Sequence, residues 1–184
     1  MSSQHQQQQQ HQPAPSPSAL STAHQTLFTA GLAQRRAVAG SSFVDAALSN
    51  GSSSFARPMQ ELVTEFCWGS VWTRPGLELK TRSLLNIAML CALNRSTELA
   101  VHTRGALRNG ASEVEIRETI LQAAVYCGMP AGMEGFKVAE RVLNEWKKEH
   151  NITGEVLGSE GKTQAETDDH YRDVGLEDRI HDDI

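Results

Sequence analysis

Apolar residues recur with the period of an α-helix through the middle of this chain, and no stretch shows the alternation that is typical of a β-strand. The first example lies at residues 57–72, where Met59, Leu62, Val63 and Phe66 follow helical spacing. This pattern predicts a helix whose core-facing stripe consists of Met59, Leu62 and Phe66. We therefore expect an all-α protein.

The other helices are predicted from apolar runs and from start and stop signals. Residues 79–93 are apolar on most faces, which predicts the most buried helix, packed against bundle neighbours or another subunit. Three further helices are expected. The first is capped by Ser96 and runs to about Asn109, and the second begins at a capping box formed by Ser112-Glu113-Val114-Glu115. The third runs from Pro130 to about His150. Short connections between them indicate a helical bundle.

The two ends of the 184-residue chain differ from its middle in composition. Residues 1–26 are rich in Gln, Pro and Ser, and such a segment cannot bury enough apolar surface to offset its ordering entropy. We expect a disordered tail there. Residues 151–184 are rich in Asp and Glu, which predicts an acidic flexible tail. One domain remains at residues 27–150, which suits the length of the chain.

Charge and cysteine usage exclude several classes of protein. The formal net charge of -5 argues against nucleic acid as a partner, and no apolar run approaches the length of a membrane span. Cys67, Cys91 and Cys127 form neither a CxxC motif nor a metal-ligand spacing, so no metal site or disulfide framework is expected. Free thiols and the lack of a secretory signal pattern favour the cytoplasm.

Two tryptophans and two glutamates share one stripe of the first predicted helix. Glu61, Glu65, Trp68 and Trp72 recur at i, i+4, i+7 and i+11. An exposed helix surface does not need two indoles, and a buried indole N–H needs an acceptor such as a carboxylate. Either the stripe forms the wall of a pocket, or the indoles anchor a core or an interface while the glutamates stay solvated.

A histidine lies on the apolar side of the helix that starts at Ser96. His102 follows Leu99 by three residues, so its side chain points with the apolar face. Glu98 lies four residues earlier and can orient or charge the imidazole. The two interpretations that remain open are a functional histidine and a hydrogen-bonded core residue.

Two arginines need an explanation for their positions. Arg82 lies near the start of the apolar helix, where the helix dipole disfavours a cation. A bound anion would explain it, and so would an ion pair with Glu61 or Glu78. Arg74 is held extended by the proline that follows it and can present a planar fork to a carboxylate. Structural salt bridges remain the alternative for both arginines.

Four segments carry a resemblance to a known family: GLAQRRAVAGSSFVDAAL, PMQELVTEFCWGSVWTRPGLELKTRSLLNIAMLCALNR, ELAVHTRGALRNGASEVEIRETILQAAVYCGMPAG and FKVAERVL. They cover roughly residues 27–146 and resemble the 4-carboxymuconolactone decarboxylase family. The resemblance implies an all-α fold of the alkylhydroperoxidase D-like type, which assembles as a homo-trimer or homo-hexamer with pockets near the subunit interfaces.

The peroxidase branch of that superfamily carries a CxxCxxxH motif. If His102 is its histidine, the two cysteine positions hold Arg95 and Glu98 here, and Ser83 stands at the position of the assisting acid. The histidine is kept and the thiols are missing, so thiol peroxidase activity is strongly disfavoured.

The resemblance implies a decarboxylase that acts on a small anionic, carboxylated lactone in aromatic catabolism. Loss of CO2 leaves a dienolate whose charge spreads onto the lactone carbonyl, so the substrate is its own electron sink and no cofactor is needed. Within this scheme the predicted catalytic residues are His102, Glu65, Glu61 and Arg82, and the predicted substrate-binding residues are Trp68, Trp72, Arg74 and Glu98.

The role of each residue in this scheme is an interpretation of its chemistry. Arg82 and Arg74 would hold carboxylates, and His102, charged by Glu98, would donate a proton or stabilise the enolate oxygen. Glu65 or Glu61 would repel the scissile carboxylate or shuttle the proton, and the indoles would exclude water. The alternatives are a lyase or isomerase acting on another lactone or keto acid in secondary metabolism, and a non-catalytic oligomeric binding protein.

Overall fold

The computed structural model describes residues 14–158, which form seven α-helices and one π-helix and contain no strand. The helices are α1 (Pro17–Ala39), α2 (Ser41–Asn50), α3 (Arg57–Leu62), the π-helix (Val63–Val71), α4 (Leu79–Ala92), α5 (Ser96–Arg108), α6 (Glu113–Cys127) and α7 (Met129–Glu149). The expectation of an all-α fold is confirmed. Residues 1–13 and 159–184, which make up much of the two predicted tails, lie outside the described residues.

The first helix begins earlier than the sequence suggested. α1 starts at Pro17, so residues 17–26 are helical, whereas a disordered tail was expected over residues 1–26. Ser16 caps the helix, since its Oγ accepts a hydrogen bond from the N–H of Ala19 at 3.2 Å. Proline suits the first turn because its missing N–H has no partner there in any helix. This start signal was not recognised in the sequence because the surrounding residues are rich in Gln, Pro and Ser.

At the other end, residues 151–158 return to the helical domain instead of starting the acidic tail. Val156 is buried, and its carbonyl accepts a hydrogen bond from the N–H of Glu113 at 2.9 Å. The N–H of Val156 donates to the Glu113 carboxylate at 3.2 Å. This segment thus satisfies one backbone donor at the start of α6, and the domain ends later than the predicted boundary at residue 150.

Two clusters of buried side chains form the interior. The larger cluster lies among α4, α5, α6 and α7 and is built around Ile87, Leu99, Ile116 and Ile120. The smaller cluster lies between α1 and the π-helix and contains Val38, Trp68 and Trp72. Each fully buried aliphatic side chain contributes about 1.5–3 kcal/mol, so the larger cluster provides most of the stability.

None of the helices within residues 14–158 combines the length and apolar character needed to cross a membrane.

Two glycines let the backbones of α1 and the π-helix approach closely. A Cβ atom on Gly31 would overlap the carbonyl oxygen of Thr64, and a Cβ atom on Gly69 would overlap the carbonyl oxygen of Leu27. Any larger residue would therefore push the two helices apart. This contact fixes which face of the π-helix is covered.

The predicted core stripe of residues 57–72 is wrong. Met59, Leu62 and Phe66 are exposed, with Phe66 at 66%. The buried face carries Thr64 and the tryptophans instead. The reason is that α1 docks on the Gly69 side, and no other described helix covers the opposite side.

The later helices follow the sequence closely, with two local corrections. α4 has the predicted position, but it is buried on one face only, since Leu85, Met89 and Leu93 are exposed. α5 begins at Ser96 as expected, although Ser96 is not its cap. Its hydroxyl instead lies 3.1 Å from the Glu134 carboxylate on α7, to which it donates.

The capping box at the start of α6 is confirmed. Ser112 Oγ accepts from the N–H of Glu115 at 3.1 Å, and the N–H of Ser112 donates to the Glu115 carboxylate at 2.7 Å. These hydrogen bonds involve residues three positions apart, so they form without help from the rest of the fold. That is why the sequence predicts them well.

Candidate active site

Trp68, Trp72 and His102 form a stacked aromatic cluster. The two indole centroids are 4.7 Å apart, and the imidazole centroid lies 6.3 Å from each of them. The imidazole is nearly parallel to Trp68, at an interplanar angle of 3°. Both indoles are almost completely buried, at 6% and 4% exposure. The structure thus brings together three of the predicted site residues from two separate helices.

The π-helix sets the relative position of the two indoles. Its wide turn is visible at Trp72, whose N–H donates to the carbonyl of Cys67, five residues earlier, at 3.1 Å. Single π-turns inside helices occur frequently at functional sites. In this wide turn, Trp68 and Trp72 stack face to face on one side of the helix.

His102 is mostly buried, and burial has the largest effect on the pKa of its imidazole. Burial lowers the pKa of His102 below its usual 6.5, and the opposing effect of Glu98 is smaller. The imidazole is therefore neutral at neutral pH, and the expectation that Glu98 charges it is wrong. Glu98 is exposed at the surface of α5 and acts on His102 only through its charge.

An asparagine on α4 faces the imidazole. Asn86 Nδ2 lies 3.4 Å from Nδ1 of His102. With this amide nitrogen as the donor, Nδ1 accepts, and the single proton of the neutral ring is on Nε2. His102 then presents an N–H donor on the ring edge away from Asn86.

The two predicted acids lie in different surroundings. Glu65 is partly buried, and His24 Nδ1 lies 2.7 Å from its Oε2 as a hydrogen-bond donor. His24 belongs to the part of α1 that was expected to be disordered, so sequence reasoning missed it. Glu61 is exposed and forms a surface ion pair with Arg57 at 3.5 Å. The structure does not place Glu61 with the aromatic cluster.

Of the two predicted arginines, Arg74 lies in the loop between the π-helix and α4, and Arg82 lies in the first turn of α4. Arg82 donates from Nε to the carbonyl of Leu77 at 3.0 Å and from Nη2 to the carbonyl of Arg74 at 2.9 Å. Neither Glu61 nor Glu78 pairs with Arg82 among the described residues. The need to hold this loop explains a cation at the start of α4. The Arg74 side chain is exposed.

A third arginine, which sequence reasoning did not single out, lies where α1 packs on α3 and the π-helix. Arg35 on α1 is only 7% exposed and donates to Thr64 Oγ1 at 3.0 Å and to Gln60 Oε1 at 3.1 Å. Burial raises the pKa of the nearby Cys67 thiol, although the charge of Arg35 and a hydrogen bond from the Trp72 indole both lower it. Cys67 is thus a neutral thiol.

Comparison with known proteins places this geometry in a family. The model of the carboxymuconolactone decarboxylase family matches residues 57–141, which contain all three rings of the aromatic cluster. A nitrosuccinic acid decarboxylase of Metarhizium robertsii is 48% identical over 122 residues, which cover 66% of this chain and 85% of that protein. The chain belongs to the carboxymuconolactone decarboxylase family. The suspected family is thereby confirmed.

A second relative has the activity that gives the family its name. A 4-carboxymuconolactone decarboxylase of Acinetobacter baylyi is 40% identical over 115 residues, which cover 62% of this chain and 85% of that protein. Both of these relatives are decarboxylases by name. The prediction that the chain is an enzyme, a carboxy-lyase, is confirmed at this level.

Ser83, which the resemblance assigned to the position of the assisting acid of thiol peroxidases, is fully buried. Ser83 accepts a hydrogen bond from Asn109 at 2.9 Å and has no contact with solvent. Arg95 and Glu98, which stand at the two cysteine positions, are exposed. Neither side chain can form a disulfide or a thiolate.

Proposed function

We propose that this chain is a cofactor-free decarboxylase of a small dicarboxylate whose scissile carboxylate lies next to an electron-accepting group. 4-Carboxymuconolactone and nitrosuccinic acid, the compounds in the names of two relatives, share this character. In the first the acceptor is the unsaturated lactone, and in the second it is the nitro group. Decarboxylation in aromatic catabolism, with a 4-carboxymuconolactone-like lactone as substrate, is the leading version of this proposal.

The observation that carries the proposal is a neutral, mostly buried His102 whose ring centroid lies 6.3 Å from each of two indoles. When the C–C bond to the carboxylate breaks, its electron pair moves onto an oxygen of the acceptor group, and CO2 leaves. The Nε2–H of His102 can donate a hydrogen bond to that oxygen as its charge develops. The buried indoles exclude water, which strengthens this interaction.

The carbanion then needs one proton at carbon. Glu65, held by His24 at 2.7 Å, is the predicted acid that lies on the same π-helix as the indoles, one turn before Trp68. We propose that Glu65 passes this proton, which makes the His24–Glu65 pair the connection between the site and the solvent around His24. Glu61 is a weaker candidate for this role because it is engaged at the surface with Arg57.

The proposed activity can be tested with the purified chain and two substrates, 4-carboxymuconolactone and nitrosuccinate. We expect release of CO2 from at least one of them, together with loss of the lactone's ultraviolet absorbance in the first case. Turnover should fall in the usual range of about 1–1,000 per second and should be unchanged after treatment with a metal chelator. A purified, folded chain that releases CO2 from neither compound would contradict the proposal.

The exposed apolar side chains support an oligomer. Leu85, Met89 and Leu93 lie along the outer face of α4, and Met59 and Phe66 form a second exposed apolar patch. Patches of this kind usually mark interaction surfaces. We propose a homo-trimer or homo-hexamer, and light scattering coupled to size exclusion should give three or six times the 20.1 kDa mass of one chain. A single-chain mass would contradict this assignment.

A further inference from the structure

Arg35 is a buried cation whose hydrogen-bond acceptors are both neutral. Its side chain is 7% exposed, and its acceptors are the Gln60 amide and the Thr64 hydroxyl. Among residues 14–158, no carboxylate oxygen lies within 4.0 Å of its guanidinium. The next residue, Arg36, is exposed and pairs with Asp45 at 2.6 Å. Buried charges are normally paired with an opposite charge. Arg35 has no such partner among the described residues, so an anionic ligand could pair with it.

The hydrogen bonds of Arg35 leave one edge of the guanidinium unused. Nη1 donates to both Gln60 and Thr64, and Nη2 donates one bond to Gln60. The Nε–H and the second N–H of Nη2 have no acceptor among the described residues. These two donors lie parallel on the side of the guanidinium that binds a carboxylate through two hydrogen bonds.

The same edge is occupied in Arg82, which the sequence had suggested as a carboxylate holder. Nε and Nη2 of Arg82 donate to the carbonyls of Leu77 and Arg74. A carboxylate would have to displace both carbonyls before it could bind there. Arg35 needs no such displacement, which makes it the better partner for an anion.

Arg35 lies beside the aromatic cluster. Thr64, which accepts from Arg35, lies one turn before Trp68 on the π-helix. Val38, one turn after Arg35 on α1, packs against both indoles. Cys67, which packs against the same buried cluster, is close enough to Arg35 for the arginine charge to affect its thiol. Arg35 is therefore close to the smaller buried cluster, which contains both indoles.

We propose that Arg35 binds a carboxylate of the substrate through its Nε and Nη2 edge and so orients the substrate against Trp68, Trp72 and His102. This inference rests on the proposed decarboxylation. The carboxylate concerned is the one that the substrate retains. An ion pair to the scissile carboxylate would be lost as CO2 forms and would raise the barrier. Contact with the retained carboxylate is equally strong before and after the bond breaks.

The test uses Arg35→Gln, with Arg36→Gln as the matched control at the neighbouring, exposed arginine. We expect Arg35→Gln to raise KM for 4-carboxymuconolactone or nitrosuccinate about 10- to 100-fold, since charge-assisted bidentate hydrogen bonds are of that strength, with a much smaller change in kcat. Arg36→Gln should leave both constants unchanged. An unchanged KM in Arg35→Gln, or a loss confined to kcat, would overturn the proposal.

A direct measurement of anion binding tests the Arg35 site independently of the proposed decarboxylase activity. Titration calorimetry with succinate, a probe that has two carboxylates and no leaving group, should show binding to the wild type and to Arg36→Gln but not to Arg35→Gln. Dimethyl succinate, its uncharged counterpart, should bind to none of them. If the wild type releases no CO2 but binds succinate through Arg35, the activity fails and the anion site stands. Equal succinate binding by Arg35→Gln and wild type overturns the site.

A second variant keeps the test valid if Arg35→Gln does not fold. Gln60→Glu places a carboxylate against the Arg35 guanidinium without removing the arginine. We expect this internal ion pair to raise Tm and to weaken succinate binding at least about tenfold, because it neutralises the charge that attracts the probe. Wild-type affinity for succinate in Gln60→Glu would count against Arg35 as the anion site.

Discussion

Replacement of His102 by Gln is expected to lower kcat by about 10²- to 10⁴-fold, the range found when a single proton-transfer group or oxyanion donor is removed. The imidazole is neutral and stacked beside two buried indoles, so its N–H is positioned before the substrate arrives. Gln has a similar volume but cannot place a donor at the Nε2 position while keeping the contact to Asn86. Steady-state decarboxylation assays measure the effect.

The pH dependence of stability shows whether His102→Gln still folds around the same cluster. Because burial lowers the pKa of His102 below 6.5, the unfolded chain takes up this proton before the folded chain does. The wild type should keep this contribution in full above pH 6.5 and lose it as the pH falls towards the folded-state pKa. Glu113 and Glu115 have pKa values below 4.5, so their loss of stability begins at lower pH.

The expected pattern for His102→Gln is a native-like melting curve at pH 7.5 and a smaller decline in Tm between pH 6.5 and 5 than the wild type shows. A variant that is well folded and retains wild-type kcat would remove His102 from the mechanism. A variant that loses its oligomeric state together with its activity would indicate that the histidine serves packing instead.

Replacement of Gly31 by Ala should have the largest effect on stability of any single methyl addition near the site. The new Cβ would overlap the carbonyl oxygen of Thr64 in the facing helix, and backbone overlap cannot be relieved by rotating a side chain. We expect a loss of about 3 kcal/mol, at the top of the usual range for overpacking, and a fall in Tm of roughly 6–12 °C. Thermal denaturation followed by circular dichroism measures this shift.

Gly76 provides the matched control for this prediction. A Cβ atom there meets no other atom within 4 Å, so Gly76→Ala should have the same Tm as the wild type. Gly31→Ala should also lose activity beyond its loss of stability, because α1 carries Arg35 and His24 to the site. Equal Tm values for the two variants would show that α1 does not pack on the π-helix in this way.

The features predicted correctly from the sequence are those that depend on neighbouring residues or on the family resemblance. The capping box of Ser112 and Glu115 and the position of α4 follow from interactions within a few residues of each other. The resemblance connected Trp68, Trp72 and His102, and the structure places their rings within stacking distance. Local chemistry and family pattern were sufficient to predict this part of the fold and the proximity of these three rings.

The features predicted wrongly depend on which surfaces meet. Met59 and Phe66 have the spacing of a core stripe, but α1 covers the opposite side of their helix. The charge of His102 was assigned from Glu98, four residues away, whereas burial by neighbouring elements has the larger effect on its pKa. The start of α1 at Pro17 was hidden by the composition around it.

The sequence alone therefore determined the all-α class, most helix positions and the family, because each is encoded in local spacing or in a continuous motif. Only the tertiary structure showed that Arg35 is buried without an anionic partner and that His24 reaches Glu65. The contact of Arg35 with Gln60 joins α1 to α3, and the contact of His24 with Glu65 joins α1 to the π-helix, each over more than twenty positions of sequence. Contacts of this range depend on the docking of Gly31 against the π-helix, which no pattern within either segment specifies.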